Sequence, residues 1–208
     1  MKSGAAYATK EEYRAVTRHN LGVACQKRGD WPAALTDYRA SLEIFEQIGD
    51  RQGMAKSRHQ IGMVYQFRGD WPAALAEYRA SLEIKEQVGD REGMASTISQ
   101  IAIVEELKGN LAEALSGQKK SLKIREEIGD LQGQAICHHS IGIVYQIQGD
   151  LTAALTEYRA SLKISEHIGK RQGIAESRHN IGAIYQAQGH WKAALVDYRA
   201  CVKTFEQH

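Results

Sequence analysis

The chain repeats itself every 40 residues. Of the twenty residues in the segment Trp31–Asp50, sixteen recur unchanged in the segment Trp71–Asp90, and looser copies begin at Asn110, Asp150 and His190. A repeat of this length is typical of proteins in which each unit buries its apolar face against the next unit. The fold therefore has to be inferred from a single repeat.

One repeat contains the start and stop signals of two helices. Asp50 is a good N-cap for the first helix, and Gly69 has the position of a glycine that ends it. Asp70 begins the second helix, with Pro72 in its first turn, where a missing N–H is harmless. The pattern predicts an all-α α-solenoid of five helical hairpins, or about ten helices. The array is expected to span residues 10–208 after an N-terminal lead of residues 1–9, with repeats at 11–50, 51–90, 91–130, 131–170 and 171–208.

A glycine recurs in the middle of the first helix, where it costs about 1 kcal/mol relative to alanine. It is Gly62 in the second repeat, and small residues such as Ala74 recur in the second helix. This pattern predicts a close approach of the two helices, with Tyr65, Trp71 and Tyr78 filling the flanks. The same position is occupied in the other repeats by Gly22, Ala102, Gly142 and Gly182.

Composition argues against several classes of function. The formal net charge is +2, which gives no basic surface for nucleic acid or for an anionic membrane. The apolar stretches are too short to span a bilayer, and the first residues lack the apolar core of a signal peptide. Three cysteines inside helical patterns suit a reducing cytoplasm rather than a disulfide framework. We therefore expect a cytoplasmic protein that binds neither nucleic acid nor membranes.

No set of residues predicts catalysis, a metal or a cofactor. Histidines in successive repeats would lie on helices about 8–10 Å apart, too far for one zinc ion. Cys137 precedes His138 and His139, but neighbouring residues on a helix point in different directions. Cys137 is expected to be a packing residue. The glycines lie at helix ends or contacts, which argues against a phosphate-binding loop.

The repeat resembles the tetratricopeptide repeat. The resemblance rests on Ile61-Gly62-Met63-Val64-Tyr65, Gly69-Asp70-Trp71, Ala74-Leu75, Tyr78 and Ser81-Leu82. The usual unit of that family has 34 residues, so this chain is most similar to the 40-residue variant of spindle-orientation adaptors and of sensor arms in bacterial regulators. The resemblance implies a right-handed superhelix whose first helices line a concave groove. It also implies a non-catalytic scaffold for protein–protein interaction.

The resemblance places a ligand-binding groove on one face of each first helix. Amide and imidazole groups on that face can donate to and accept from a peptide backbone, and an apolar row runs beside them. The chain is therefore expected to bind a peptide or protein segment. The predicted groove residues are His19, Asn20, Val23, Gln26, Lys56, His59, Gln60, Met63, Gln66, Ser99, Gln100, Ile103, Glu106, His139, Ser140, Ile143, Gln146, His179, Asn180 and Gln186.

Two features of this face have alternative interpretations. The histidines come from copied repeats, so they are either ligand contacts or inherited surface residues. If they keep an ordinary pKa, affinity should change between about pH 5.5 and 7.5. Arg18, Arg58 and Arg178 lie one residue earlier and are expected to flank the groove or to pair with neighbouring helices rather than to hold an acidic ligand.

Two further functions remain open from the sequence. The array could be a regulatory or sensor arm of a larger signalling enzyme, or a structural oligomer that binds itself. Val196 and Phe205 are candidates for self-association, because they would add apolar surface to the last helix. The third repeat is expected to be the least regular, since Glu105 and Gln118 replace tyrosines of the other copies.

Overall fold

A computed structural model describes residues 10–206, so the predicted lead and the last two residues lie outside the described part of the chain. Within it the protein is entirely helical between short turns, as the repeat predicts. Consecutive helices pack as hairpins, for example α1 with α2 and α7 with α8. The helices are α1 (Lys10–Lys27), α2 (Trp31–Ile48), α3 (Arg51–Phe67), α4 (Trp71–Val88), α5 (Arg91–Leu107), α6 (Leu111–Glu127), α7 (Leu131–Ile147), α8 (Leu151–His167), α9 (Arg171–Ala187) and α10 (Trp191–Glu206).

The contacts group into two compact units. One unit ends at Val104 and the other begins at Glu105, inside α5. Each unit has its own core, formed in the first by clusters around Tyr38 and Tyr78 and in the second by a cluster around Tyr158. The single array from residue 10 onwards remains a prediction. None of the helices described here combines the length and the apolar character needed to cross a membrane.

The capping signals of the sequence produce the helix ends. The Asp50 side chain accepts a hydrogen bond of 3.0 Å from the Gly53 amide at the start of α3. Asp70 does the same for Ala73 in α4, whose first turn contains the proline. Gly69 has a φ of +76°, which L side chains rarely adopt. These caps confirm the predicted helix ends at Asp50, Gly69 and Asp70.

The mid-helix glycine makes room for one particular side chain. A Cβ atom at Gly62 would lie 2.8 Å from ring carbons of Tyr78, which is fully buried. Tyr65 and Trp71 are half-buried beside this core, as predicted. The prediction was wrong for Tyr78, because its ring lies over the glycine instead of on the flank. The same pairing joins Gly22 to Tyr38, Gly142 to Tyr158 and Gly182 to Tyr198.

The second helix of one hairpin also packs on the first helix of the next. At the joint between α2 and α3, Leu35 and Leu42 lie in one cluster with Ile61 and Val64. Phe45 lies against Gly53, where an added Cβ would be less than 3.0 Å from its ring. We call the position of Phe45 the joint position. It is occupied by Phe45, Lys85, Arg125, Ser165 and Phe205 in the five repeats.

Candidate functional site

In the first unit, predicted groove residues line a cavity between α1 and α3. This cavity has a volume of about 380 Å³, and Val23, Gln26, Gln60 and Met63 lie on its walls. At its edge, Trp31 stacks on Phe67 with ring centroids 4.7 Å apart. The cavity therefore combines amide groups with an apolar and aromatic wall.

Two further depressions lie along the first helices of this unit. One, of about 330 Å³, is lined by His19, Asn20 and Lys56 among others. The other, of about 440 Å³, lies between α3 and α5 and includes Lys56, His59 and Lys85. In the first unit, predicted groove residues of α1 and α3 thus place amide, imidazole and amine groups on the walls of these depressions.

The second unit contains the largest of the described cavities, with a volume of about 1100 Å³. It is bordered by α7 and α9 and closed in part by Tyr158 of α8 and Phe205 of α10. Apolar side chains make up much of its wall. The predicted groove residues on it are His139, Ile143, Gln146, His179 and Asn180.

Four of the six predicted glutamines are also held inside their own repeats. The Tyr78 hydroxyl donates a 2.7 Å hydrogen bond to Oε1 of Gln66. Gln26, Gln146 and Gln186 accept in the same way from Tyr38, Tyr158 and Tyr198, at 2.7, 2.8 and 2.9 Å. The constant spacing of twelve residues between the two side chains was the sequence signal for this pair. It fixes each amide so that its nitrogen remains to donate to a ligand acceptor.

The histidines are partly structural. Nδ1 of His59 lies 3.1 Å from Oγ1 of Thr97, and its ring centroid lies 5.3 Å from that of Tyr78. Burial, aided by the charge of Lys85, lowers the pKa of His59 to about 3. Burial also lowers the pKa of His19 and of His139. With that pKa, His59 stays neutral between about pH 5.5 and 7.5, so the predicted pH window was wrong for His59.

Lys85 completes a buried polar cluster beside His59. Its amine donates to Oγ1 of Thr97 at 2.7 Å and to the Gly93 carbonyl at 3.3 Å. Its side chain is only 5% exposed, and burial lowers its pKa to about 8 against the opposing effect of Asp90. The Thr97 hydroxyl in turn donates to the Gly93 carbonyl. Sequence reasoning missed this cluster because it depends on contacts between two repeats.

The remaining predicted groove residues differ in exposure. Ser99 is buried. Gln100, Ile103, Glu106 and Ser140 are half-buried, and burial raises the pKa of Glu106. These residues are placed on first helices as predicted, but Ser99 has little surface left for a ligand.

The arginine register is occupied by ion pairs. Arg58 binds Glu46 of the preceding hairpin at 3.0 Å and Glu77 of its own hairpin at 3.1 Å. Arg178 repeats this pattern with Glu166 and Asp197. Arg18 binds Asp37 at 2.8 Å. The prediction that these arginines pair with neighbouring helices is confirmed.

The third repeat, which departs most from the pattern, buries two polar side chains. Glu105 is buried, and its carboxylate accepts from Lys108 at 2.9 Å and from Asn110 at 2.6 Å. Gln118 is also buried.

Cys137 is fully buried, as expected of a packing residue. Across residues 10–206, no group of three or more His, Cys, Asp or Glu side chains is arranged to hold a metal ion.

A family model described as the tetratricopeptide repeat matches residues 13–87, 93–167 and 134–207. The chain belongs to the tetratricopeptide repeat family. No curated protein matches it. Among solved structures it is similar to BtubC (BKLC) from P. vanneervenii, with 16% identity, a TM-score of 0.79, and 96% of this chain and 92% of that chain covered.

Two other similar structures are longer than this chain. A Rap conjugation gene regulator of the plasmid pLS20, in complex with the Phr* peptide, has 14% identity and a TM-score of 0.76, with 100% of this chain and 60% of that chain covered. A signal transduction ATPase with numerous domains and a tetratricopeptide repeat sensor, from Pyrococcus horikoshii, has 18% identity and a TM-score of 0.82, covering 93% and 30%. At these identities the likeness shows the fold alone.

Proposed function

We propose that the protein is a tetratricopeptide scaffold that binds a peptide or protein segment along its first helices. The observation that carries the proposal is the lining of the cavities. Amide groups in the first unit, and amide and imidazole groups in the second, lie beside apolar side chains on an open cavity wall. Such a wall suits an extended or helical segment held by hydrogen bonds and a few apolar anchors. The Rap regulator in complex with the Phr* peptide supports this reading of the fold.

The geometry narrows what the partner presents. Because the tyrosine hydroxyls use Oε1 of Gln26 and Gln146, the amide nitrogens are left as donors. Carbonyl or carboxylate oxygens of the partner are their natural acceptors. The proposal needs no catalytic step, no metal and no cofactor. A cytoplasmic location is part of the proposal and is supported by three free cysteines.

The test uses variants at groove residues that have no structural hydrogen bond. His59 and Gln66 are unsuitable because both are bonded inside the protein. A groove variant of the first unit therefore carries Asn20→Ala, Lys56→Ala and Gln60→Ala. The control variant carries Glu43→Ala and Glu83→Ala on the exposed surface of second helices.

Peptides are selected from a random displayed library against the full chain, and their binding is measured by isothermal titration calorimetry. For peptides that bind the first unit, we expect the groove variant to lose roughly tenfold or more in affinity, which corresponds to about 1.4 kcal/mol. The control variant should bind as the unmodified chain does. Equal binding by all three proteins would refute a groove on these helices.

A second candidate function is a sensor arm of a larger signalling enzyme. The tetratricopeptide repeat sensor of the Pyrococcus horikoshii ATPase favours it, because the present chain covers 30% of that protein. The two functions share the groove but differ in what the binding controls. The sequence that flanks the reading frame distinguishes them, since an adjoining nucleotide-binding domain would support the sensor arm.

A further inference from the structure

Lys85 is a buried lysine whose amine bonds only to neutral oxygens in the part of the chain that the structure describes. The residue is 5% exposed, and its amine donates to Oγ1 of Thr97 at 2.7 Å and to the Gly93 carbonyl at 3.3 Å. A buried ammonium is costly unless an opposite charge is bonded to it. The bonding of Lys85 therefore favours the neutral amine.

The next repeat shows a paired cation at the same joint position. There Arg125 pairs with the carboxylate of Asp130 at 2.5 Å. Lys85 bonds to the hydroxyl of Thr97 instead. That hydroxyl is missing from the next repeat, where Cys137 has the register of Thr97. The buried lysine and its threonine partner thus occur together in one joint, and they give its amine a different environment from that of the arginine.

The two bonds of Lys85 account for both hydrogens of a neutral amine. A neutral primary amine has two N–H groups and one lone pair, whereas an ammonium has three N–H groups and no lone pair. The Thr97 hydroxyl donates to the Gly93 carbonyl at 2.9 Å, so its oxygen is oriented to accept from the amine. With both hydrogens held in this way, the lone pair of Lys85 remains for a ligand.

Lys85 lies on the wall of the depression of about 440 Å³ between α3 and α5. The other charged or titratable side chains on this wall are Lys56, His59, Asp90 and Glu92. Burial lowers the pKa of Lys85 to about 8, with Asp90 opposing this effect and Lys56 adding to it. About one amine in ten is then neutral at pH 7, against roughly one in 2,500 for a lysine of ordinary pKa. A desolvated lysine beside a second cation is the form that reacts with carbonyl compounds.

We propose that Lys85 is a covalent binding site for a small aldehyde, and that Thr97 is its positioning residue. The amine nitrogen attacks the carbonyl carbon, the π electron pair moves to the oxygen, and a proton passes from nitrogen to that oxygen. Loss of water, formed from the new hydroxyl group and the remaining N–H proton, leaves an imine. No atom is oxidised or reduced. Because the amine is only 5% exposed, the carbonyl group has to be small and unhindered, as it is in an aldehyde.

The test uses the full chain, with propanal as the probe and cyanoborohydride to reduce any imine to a stable secondary amine. Peptide mass spectrometry gives the rate of propyl labelling at each lysine at pH 7, and the exposed Lys163 is the internal reference. Thr97→Val removes the hydroxyl, and Thr97→Ser keeps it. Ser57→Ala removes the equivalent hydroxyl in the preceding repeat, where the joint position is phenylalanine, and is the matched control. Circular dichroism checks that each variant is folded.

We expect Lys85 to be labelled roughly tenfold or more faster than Lys163, because more of its amine is neutral even though burial restricts access. Thr97→Val should abolish this advantage, whereas Thr97→Ser and Ser57→Ala should retain it. Equal or slower labelling of Lys85 in the unmodified chain would overturn the proposal. Equal labelling of Lys85 in the Thr97→Val and Thr97→Ser proteins would also overturn it, because the hydroxyl would then not position the amine.

Discussion

At the scale of single residues, the mid-helix glycine and the tyrosine packed over it behave as one packing element in four of the five hairpins. Where Gly62 has Tyr78 over it, the third repeat has Ala102 and Gln118 at the corresponding positions. The added methyl group and the missing ring occur together in the one copy that departs from the pattern. Alanine is the better helix former by about 1 kcal/mol, so packing rather than helix propensity keeps the glycine.

Replacing Gly62 by alanine should therefore destabilise the protein. Overpacking costs about 1–3 kcal/mol, against the gain in helix propensity, so we expect a net loss of about 1 kcal/mol in the free energy of unfolding. The double change Gly62→Ala with Tyr78→Gln, which copies the third repeat, should cost less than the two single changes added together. Urea unfolding of the four proteins measures this coupling. Strict additivity would contradict the packing argument.

Acid should destabilise the fold through His59. Its pKa is lowered to about 3 in the folded state, from 6.5 in the unfolded chain. Between these values the unfolded state binds more protons, so the free energy of unfolding falls as pH falls below about 6.5. Allowing for partial exposure, we expect about 1–2 kcal/mol from this residue at pH 4.5. The variant His59→Gln should show a flatter pH dependence in urea unfolding, and an unchanged slope would exclude His59 as the cause.

At the scale of helices, much of the structure could be predicted from the sequence. Asp50, Gly69 and Pro72 act on their own helix, so their spacing suffices to place its ends. The bonds from Tyr78 to Gln66 and from His59 to Thr97 were not predicted, because they depend on how helices face each other. The resemblance to the tetratricopeptide repeat assigned the groove residues to one face of the first helices, but it could not show that several of them also hold the fold together.

The start of α9 offers a direct test of capping. Lys170 is its N-cap and makes no side-chain cap bond, whereas Asp50 caps α3. Lys170→Asp should raise the free energy of unfolding by about 1 kcal/mol, through the new bond and the favourable interaction with the helix dipole. Lys163→Asp, in the exposed middle of α8, makes the same charge change without a cap and is the control. Equal effects in thermal unfolding would attribute the gain to net charge alone.

The third repeat should open more readily than its neighbours. Its second helix, α6, contains Gly117 and begins at Asn110 without a side-chain cap bond. Hydrogen exchange of residues 95–125 is therefore expected to be the fastest among the interior repeats. Mass spectrometry of exchanged peptides provides the comparison. Equal protection of residues 55–85 and 95–125 would contradict this expectation. It would mean that the buried Glu105 and Gln118 offset the destabilising effect of Gly117 and of the missing cap bond at Asn110.

At the scale of the whole molecule, most contacts join helices that are neighbours in sequence, and each of the two units has its own hydrophobic clusters. In such an array of repeats, stability is close to a sum of terms for each repeat and for each joint. Local damage should therefore remain local. The sequence could predict the five repeats for the same reason, since each repeat specifies itself, but it could not predict that contacts divide inside α5.

Removing a central tyrosine of the second unit tests this locality. Tyr158 is fully buried. Tyr158→Ala should cost about 3–5 kcal/mol and raise hydrogen exchange in α7, α8 and α9. Exchange in α1, α2 and α3 should stay unchanged. Uniform acceleration along the whole chain would mean that the protein unfolds as one cooperative block.

The residues at the joint position have a consequence for assembly during synthesis. Nearly identical hairpins could stack in the wrong order, which is a known failure of repeat proteins. Here the joints are distinguishable: Phe45 fills one, Lys85 bonds to Thr97 in the next, Arg125 pairs with Asp130 at 2.5 Å, and Ser165 leaves the fourth small. We expect a hairpin that stacked out of order to lose these particular contacts. A different residue at the joint position of most repeats thus distinguishes hairpins that are otherwise near copies. In this way, a gene built by duplication can still encode one order of stacking.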